Sequence, residues 1–354
     1  TTKPRRRMKN KYAKLLNQLK LRETEDPKHR DDRVLIIDGL NTFIRAYSAT
    51  PTLNANGEHC GGVSGFLSSM GHAIKTINPT RVVVVFDGKN GSAIRRKLFP
   101  AYKAHRKVSI RLNRAQSVDK EDNQLAQLIR LIDYLETLPI TVITLDGAEA
   151  DDIMAYVANS ILKPKDSHSF IMSSDKDFLQ LVSNNTHVWS PTKKKLYYED
   201  DVYSEYGVIP QNFAVYRALE GDSSDNIPGA PGLKLKTILK RWPKLGEQTT
   251  ITLEEFFSYN TSFGDESKIK AYKIVEENIE NIKLYHKIMQ LDETLLNSTT
   301  QLRIHDHMDE PCSKLAKMTF HRLLIEDGMT NAIRNPEMWL RDVTTKLNQF
   351  VDLL

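Results

Sequence analysis

Residues 145–153 read Leu-Asp-Gly-Ala-Glu-Ala-Asp-Asp-Ile (LDGAEADDI) and set four carboxylates, Asp146, Glu149, Asp151 and Asp152, close together. They follow directly on the apolar run from Pro139 to Leu145. A short β-branched run of this kind reads as a buried strand, so the acids stand at its carboxyl end. Like charges at this spacing repel, and at the mouth of a buried strand they cannot all keep full hydration. A cation sharing the space would make the arrangement tolerable.

Working outward, the same pattern recurs. Unalternated apolar runs of strand length lie at 34–37 (VLII), 82–86 (VVVVF), 140–145 (ITVITL) and 169–172 (SFIM). Amphipathic stretches of helical length lie between them near 62–77, 122–138 and 150–162. Strands buried on both faces and separated by helices predict an α/β fold with a mostly parallel sheet covered on both sides. From about 205 the strand pattern stops. Helices are expected near 210–220, 233–241, 252–258, 267–292, 312–326 and 336–352. The chain thus divides into a basic tail over 1–32, an α/β core over 33–204, and a helical region over 205–354. Within the tail, Tyr12, Leu15, Leu16 and Leu19 share a face that suits a short docked helix.

Each predicted strand ends in acid: Asp38 after the first, Asp87 after the second, the 146–152 cluster after the third, and Asp175 and Asp177 after the fourth. In a parallel sheet all carboxyl ends share one edge, where open α/β folds bind ligands. Asp38, Asp87, Glu149, Asp151, Asp152, Asp175 and Asp177 are therefore expected at one site, whereas Asp146 reads as a turn residue. Any one of these aspartates alone would read as a helix cap. Together, with no His or Cys among them, they select hard cations such as Mg²⁺ or Mn²⁺, two or more ions at this density. If Glu149 and Asp152 open a helix, their spacing puts both on one face and turns Asp151 elsewhere.

The total charge of +5 conceals a segregation. Residues 1–22 hold nine Lys/Arg, residues 89–114 nine and residues 226–246 five, all without an acid. Taking these 23 from the 50 Lys/Arg leaves 27 against 45 Asp/Glu. Basic strips on an acidic body suit a polyanion such as nucleic acid and, separately, cations. With only Cys60 and Cys312, a disulfide framework and a structural zinc site are disfavoured, and a reducing cytoplasm is expected. No apolar run nears the roughly 20 residues that span a bilayer, so no membrane association is expected. The opening TTKPRRRMKN lacks the apolar core of a secretory signal.

A last cluster runs from Glu220 through Gly221, Asp222, Asp225 and Gly229 to Gly232, Lys234 and Lys236. Closely spaced glycines before a basic helix expose backbone N–H groups suited to a backbone phosphate.

With these residues in place, the chain resembles the 5′-nuclease superfamily of flap endonucleases and 5′–3′ exonucleases, in its stand-alone phage and bacterial form. The motifs are IDGLN (37–41), VFDG (85–88), EADD (149–152), SSDKDF (173–178) and GDSSDNIPG (221–229). Their order and spacing over roughly 33–240 carry the resemblance. It implies a PIN-like core, a helical arch over about 89–121, and a helix-hairpin-helix-type DNA-binding motif in the helical region. It implies a divalent-metal-dependent nuclease cutting 5′ flaps and nicked or forked duplexes, and RNA in RNA–DNA hybrids, during replication and repair.

By position, the resemblance makes Asp38, Asp87, Glu149, Asp151, Asp152, Asp175, Asp177, Asp222 and Asp225 metal-binding acids. It makes Lys103 and Arg106 arch cations on the scissile phosphate and Tyr102 a stacking partner for a base. Arg95, Arg96 and Lys97 would steer the strand, and Arg45 would touch a phosphate. The family often holds a monovalent ion such as K⁺ on backbone carbonyls at the glycine-rich turn. Here the second glycine is replaced by Lys234, which resists the positive φ glycine allows, so Lys234 and Lys236 would grip phosphate directly beside Gly229 and Gly232.

A monomer is expected, with a sliding clamp or a single-strand-binding protein as candidate partners. Leu347, Phe350, Val351 and Leu354 share a helical face that would dock on such a clamp or, the favoured reading, pack into the chain's own helical region. Two other functional readings stay open, a junction-binding protein with a decayed site and a simpler metal-dependent ribonuclease.

Overall fold

The computed structural model describes residues 29–104, 120–263, 269–292 and 294–351. The expected tail up to residue 28, with its Tyr12 to Leu19 face, lies outside these residues, as do Arg106 and Leu354. Residues 29–32 are anchored. Arg30 donates to the carbonyls of Met308 and Glu310 at 2.5 and 2.9 Å, and Asp31 pairs with buried Arg81 at 2.9 Å.

Six strands form one sheet: β1 (Arg33–Asp38), β2 (Arg81–Asp87), β3 (Thr141–Leu145), β4 (His168–Met172), β5 (Thr186–Ser190) and β6 (Lys195–Tyr197). Their order is β3-β2-β1-β4-β5-β6, parallel except for the edge strand β6. The four predicted strands are present within a residue or two of their expected bounds. β5 and β6 were not predicted. THVWS is too short and too mixed to stand out as an apolar run, and KLY is a three-residue edge strand.

Strand periodicity sends alternate residues to opposite faces. Val34, Ile36, Val83, Val85, Ile143 and Ile171 build one core, and Leu35, Ile37, Val82, Val84, Phe170 and Met172 the other. This is why the strands read as continuous apolar runs. Both cores continue into the C-terminal helices. Ile282, Tyr285 and Ile288 from Ile279–Met289, with Ile304 and Met308 from Ser298–Asp309, complete the first core. Phe320, Leu323 and Leu324 from Lys317–Glu326, with Trp339, Leu340, Val343 and Leu347 from Pro336–Phe350, complete the second. Leu347, Phe350 and Val351 are buried, so this face of the last helix packs within the chain.

The chain leaves β1 toward β2 and β3, then crosses to β4 on the other side of β1. This reversal opens a crevice outside the carboxyl ends of β1 and β4, the usual ligand position of such a sheet.

Leu340 is 2% exposed in the second core. Leu340→Ala should cost about 2–5 kcal/mol by lost transfer energy and cavity formation. Chemical denaturation followed by far-ultraviolet circular dichroism would show it, with the α/β signal lost in the same transition.

Candidate nuclease site

The crevice opens into a cavity of about 800 Å³ lined by Asp38, Asp87, Asp151, Asp175 and Asp222, with Arg45 and Lys103 also on its wall. Asp38 closes β1 and caps the helix Gly39–Ala49, accepting from the Asn41 N–H at 3.0 Å and from the Ser173 hydroxyl at 2.9 Å. The second bond spans the crevice. Asp87 ends β2 and accepts from the Ala150 N–H at 2.8 Å, fixing the start of the helix Ala150–Tyr156. Asp175 caps the turn Lys176–Leu181 through the Asp177 N–H at 2.8 Å.

These groups strain against their surroundings. Burial, with lesser repulsion from Asp87, raises the Asp38 carboxyl to about 6. Burial, then Asp177, raises Asp175 to about 7. Asp151 is raised well above the ordinary range, by burial first and by Asp38, Asp175 and Asp87 after it. Lys103 holds its proton more tightly than usual: burial opposes the charge, but Asp151, Tyr102 and Glu149 outweigh it. It is a fixed cation rather than a base.

The other acids have partners of their own. Glu149 and Asp152 do share one helical face, but that face turns inward onto buried Arg95. Its guanidinium donates to Glu149 Oε2 at 2.6 Å and to Asp152 at 2.5 and 3.0 Å, and its Nε donates to the Ile288 carbonyl at 2.9 Å. Asp152, expected as a catalytic and metal-holding acid, is here a buried ion-pair partner of Arg95, and Asp151 lines the cavity. The sequence spacing gave the shared face but not its direction. Glu149 also accepts from Lys103 Nζ at 2.5 Å. Asp177 and Asp222 are both engaged by Arg217, fully buried, at 2.5 Å each. Asp177 and Asp225 line a small adjoining cavity of about 20 Å³ that shares Asp151 and Asp175 with the first.

Two arch readings are corrected on the same grounds. Arg95 is 3% exposed and held by two carboxylates, so it does not steer a strand from the surface. Tyr102 is buried beneath Lys103 with its hydroxyl 3.4 Å from Glu149, so its ring is not open to a base. Arg96 and Lys97, in the same short helix Ala93–Leu98, remain exposed. Arg217, Ser173 and Asn41 were not anticipated. Arg217 lies five residues before Asp222, and a cation so close to an acid motif was the available signal.

The glycine-rich turn joins the helices Phe213–Glu220 and Leu235–Arg241. Asp222 and Ile227 exchange backbone hydrogen bonds at 2.7 Å each, and Gly221 and Gly229 pack so closely that a Cβ on Gly221 would stand 2.5 Å from the Gly229 nitrogen. Both have positive φ, 79° and 68°. Lys234 instead has extended backbone, φ −131°, so this position does not need glycine for its backbone, contrary to the sequence argument. Lys234 and Lys236 are exposed beside exposed Gly232.

Among the described residues, no three Asp, Glu, His or Cys side chains already stand as a closed cage for one ion. The donor chemistry nevertheless fits a hard divalent cation: oxygen only, several carboxylates on one cavity, and burial that penalises their charge.

An acid-edged sheet crevice overlooked by a fixed lysine and flanked by a glycine-rich turn defines a phosphodiester-cleaving class, and the comparisons agree. Residues 33–207 match the family model for the 5′–3′ exonuclease N-terminal, resolvase-like domain. The 5′–3′ exonuclease of Aquifex aeolicus is 30% identical over 257 residues, covering 72% of this chain and 80% of that one. That of Buchnera aphidicola from Acyrthosiphon pisum is 28% identical over 260 residues, covering 73% and 82%. The fold also matches the bacteriophage T5 flap endonuclease, solved as a pseudo-enzyme–product complex with DNA and metal ions. The TM-score there is 0.57 at 19% identity, over 83% of this chain and 98% of that one. The chain belongs to the 5′–3′ exonuclease family and is a 5′ nuclease.

Four outcomes follow from the site. Arg95→Ala, leaving the buried Asp152 carboxylate without its cation, should destabilise by about 3–5 kcal/mol. Arg96→Ala should leave the melting temperature unchanged and lower DNA affinity in a salt-dependent way. The raised carboxyls of Asp38 and Asp175 keep protons in the folded chain that the unfolded chain has already released. Stability should therefore fall as pH rises from about 4 to about 7. A cation on these groups reverses that, so Mg²⁺ should raise the melting temperature more at about pH 8 than at about pH 5.

Proposed function

We propose that the enzyme hydrolyses the phosphodiester backbone of nucleic acid near a 5′ end or single-strand–duplex junction, using Mg²⁺ or Mn²⁺ held at the Asp38, Asp87, Asp151 and Asp175 cavity. The observation that carries this reading is the convergence of those carboxylates, from four separate strand ends, on one cavity beside Lys103. The phage T5 relative, solved with DNA and metal ions, supports it. When bound, the divalent ions would activate water and offset the charge of the phosphate.

The chain's own residues bring the strand to that place. Lys103 Nζ, now on Glu149, is a cation at the cavity wall able to turn to a phosphoryl oxygen as charge develops there. Arg45 stands on the same wall, and its length reaches a neighbouring phosphate. Exposed Lys234 and Lys236, after Gly232, would hold the duplex backbone without reading bases. Water attack with the 3′ oxygen leaving gives a 5′-phosphate product. Recognition through backbone contacts admits both flap DNA and the RNA strand of an RNA–DNA hybrid, consistent with a role in replication and repair.

Cleavage of a 5′-flap duplex with Mg²⁺ tests the reading. Asp151→Asn should reduce cleavage to background while junction binding persists. Lys103→Ala should lower the single-turnover rate about 100-fold with little change in duplex affinity. Binding with no cleavage by the unmutated chain would instead make it a junction-binding protein. Equal cutting of linear single-stranded RNA would make it a simpler ribonuclease.

A further inference from the structure

Lys103 has a backbone few lysines adopt, with φ of 53° in the left-handed region. That conformation costs a residue with a Cβ roughly 1–2 kcal/mol, so the surroundings must hold it. The helix before it, Ala93–Leu98, is too short to do so alone. What holds it comes from more than 100 residues further along the chain. The Lys103 N–H donates to the Asp225 carbonyl at 2.9 Å. In the other direction, Asn226 Nδ2 donates to the Ala101 carbonyl at 2.9 Å. These two bonds clamp residues 101–103 onto residues 225–226.

Asn226 suits this position for two reasons. Its own φ is 61°, a conformation asparagine tolerates better than most residues. It also sits in the turn closed by the Asp222–Ile227 hydrogen bonds, the turn that leads to Gly229, Gly232 and Lys234. The element proposed to seat the duplex and the lysine proposed to meet the scissile phosphate are thus joined by one backbone bond and one amide side chain.

We infer that Asn226 is a positioning residue that holds the Lys103 backbone in place from the glycine-rich turn. This rests on the reading that Lys103 acts on the scissile phosphate. Asn226 touches no reacting atom. Its part is to fix the direction from which the Lys103 side chain enters the cavity, and it ties that direction to the seating of the turn.

The test uses the full chain with Asn226→Gly, which keeps the left-handed backbone at no steric cost and removes the amide that donates to Ala101. Asn226→Asp keeps the shape and sets an acceptor against the Ala101 carbonyl. Single-turnover cleavage of a 5′-flap duplex, flap affinity and melting temperature are measured for each, alone and combined with Lys103→Ala. Asn226→Gly should slow cleavage about tenfold at unchanged affinity and melting temperature, and Asn226→Asp should slow it further. In the Lys103→Ala background neither change should slow cleavage again. A tenfold loss that persists in that background would overturn the inference, because Asn226 would then act through another group. Lys103→Ala slow but Asn226→Gly at the unmutated rate would overturn the inference alone. Lys103→Ala at the unmutated rate would overturn the reading of Lys103 and the inference with it.

Discussion

Arg95 lies 3% exposed with Glu149 and Asp152 on its guanidinium, and three charges at that depth are tolerable because each offsets the hydration another has lost. Bidentate geometry to Asp152 fixes the rotation of the helix Ala150–Tyr156 about its own axis. Once Asp152 points inward, the roughly 100° step between helical neighbours presents Asp151 to the crevice. The same guanidinium binds the Ile288 carbonyl, so it also draws a C-terminal helix under the site. One buried cation thereby sets which acid faces the cavity.

Arg217 plays the matching part on the other flank, where it takes Asp177 and Asp222 together and also reaches Glu220. The acid edge is therefore graded rather than a uniform basin of negative charge. Its flanks are paired with the protein's own guanidinium groups, while Asp38, Asp151 and Asp175 at the centre, and Asp177 beside them, keep raised proton affinity. This localises the electrostatic demand that would draw a divalent ion, and it lets seven acids occupy one edge of a stable sheet.

The sheet was legible because strands buried on both faces leave unbroken β-branched runs, and the acids ending those runs were legible because parallel strands share one edge. What the sequence withheld was direction. Spacing says that Glu149 and Asp152 share a face, but not that the face meets an arginine 54 positions earlier. A run of cations such as 89–114 reads as solvated and strand-facing, although Arg95 within it is a core residue and its neighbour Arg96 is exposed. Tyr102 was misread in the same way, since burial beneath Lys103 is decided by Glu149 and the 225–226 turn. The helix Ser298–Asp309 was missed although Thr300, Ile304 and Met308 repeat every fourth residue, because polar and charged residues surround them. Likewise the polar setting of THVWS conceals a fully buried strand.

The segment from Ala93 to Lys103 has little local reason to hold its shape. Its helix is six residues long, shorter than an isolated helix sustains in water, and the turn after it carries a left-handed lysine. Its fixed points are all distant: Glu149, Asp152 and Ile288 for Arg95, and Asp225 and Asn226 for residues 101–103. Long-range contacts of this kind form only when the elements they join are already close, so this segment cannot be ordered ahead of the acid edge. Nor can the edge keep its arrangement without the segment, because Glu149 and Asp152 would be left as buried charges without a partner. The cation over the cavity and the anions within it therefore assemble as one cooperative unit. A shift in the glycine-rich turn is felt at Lys103 because the two share hydrogen bonds rather than mere proximity.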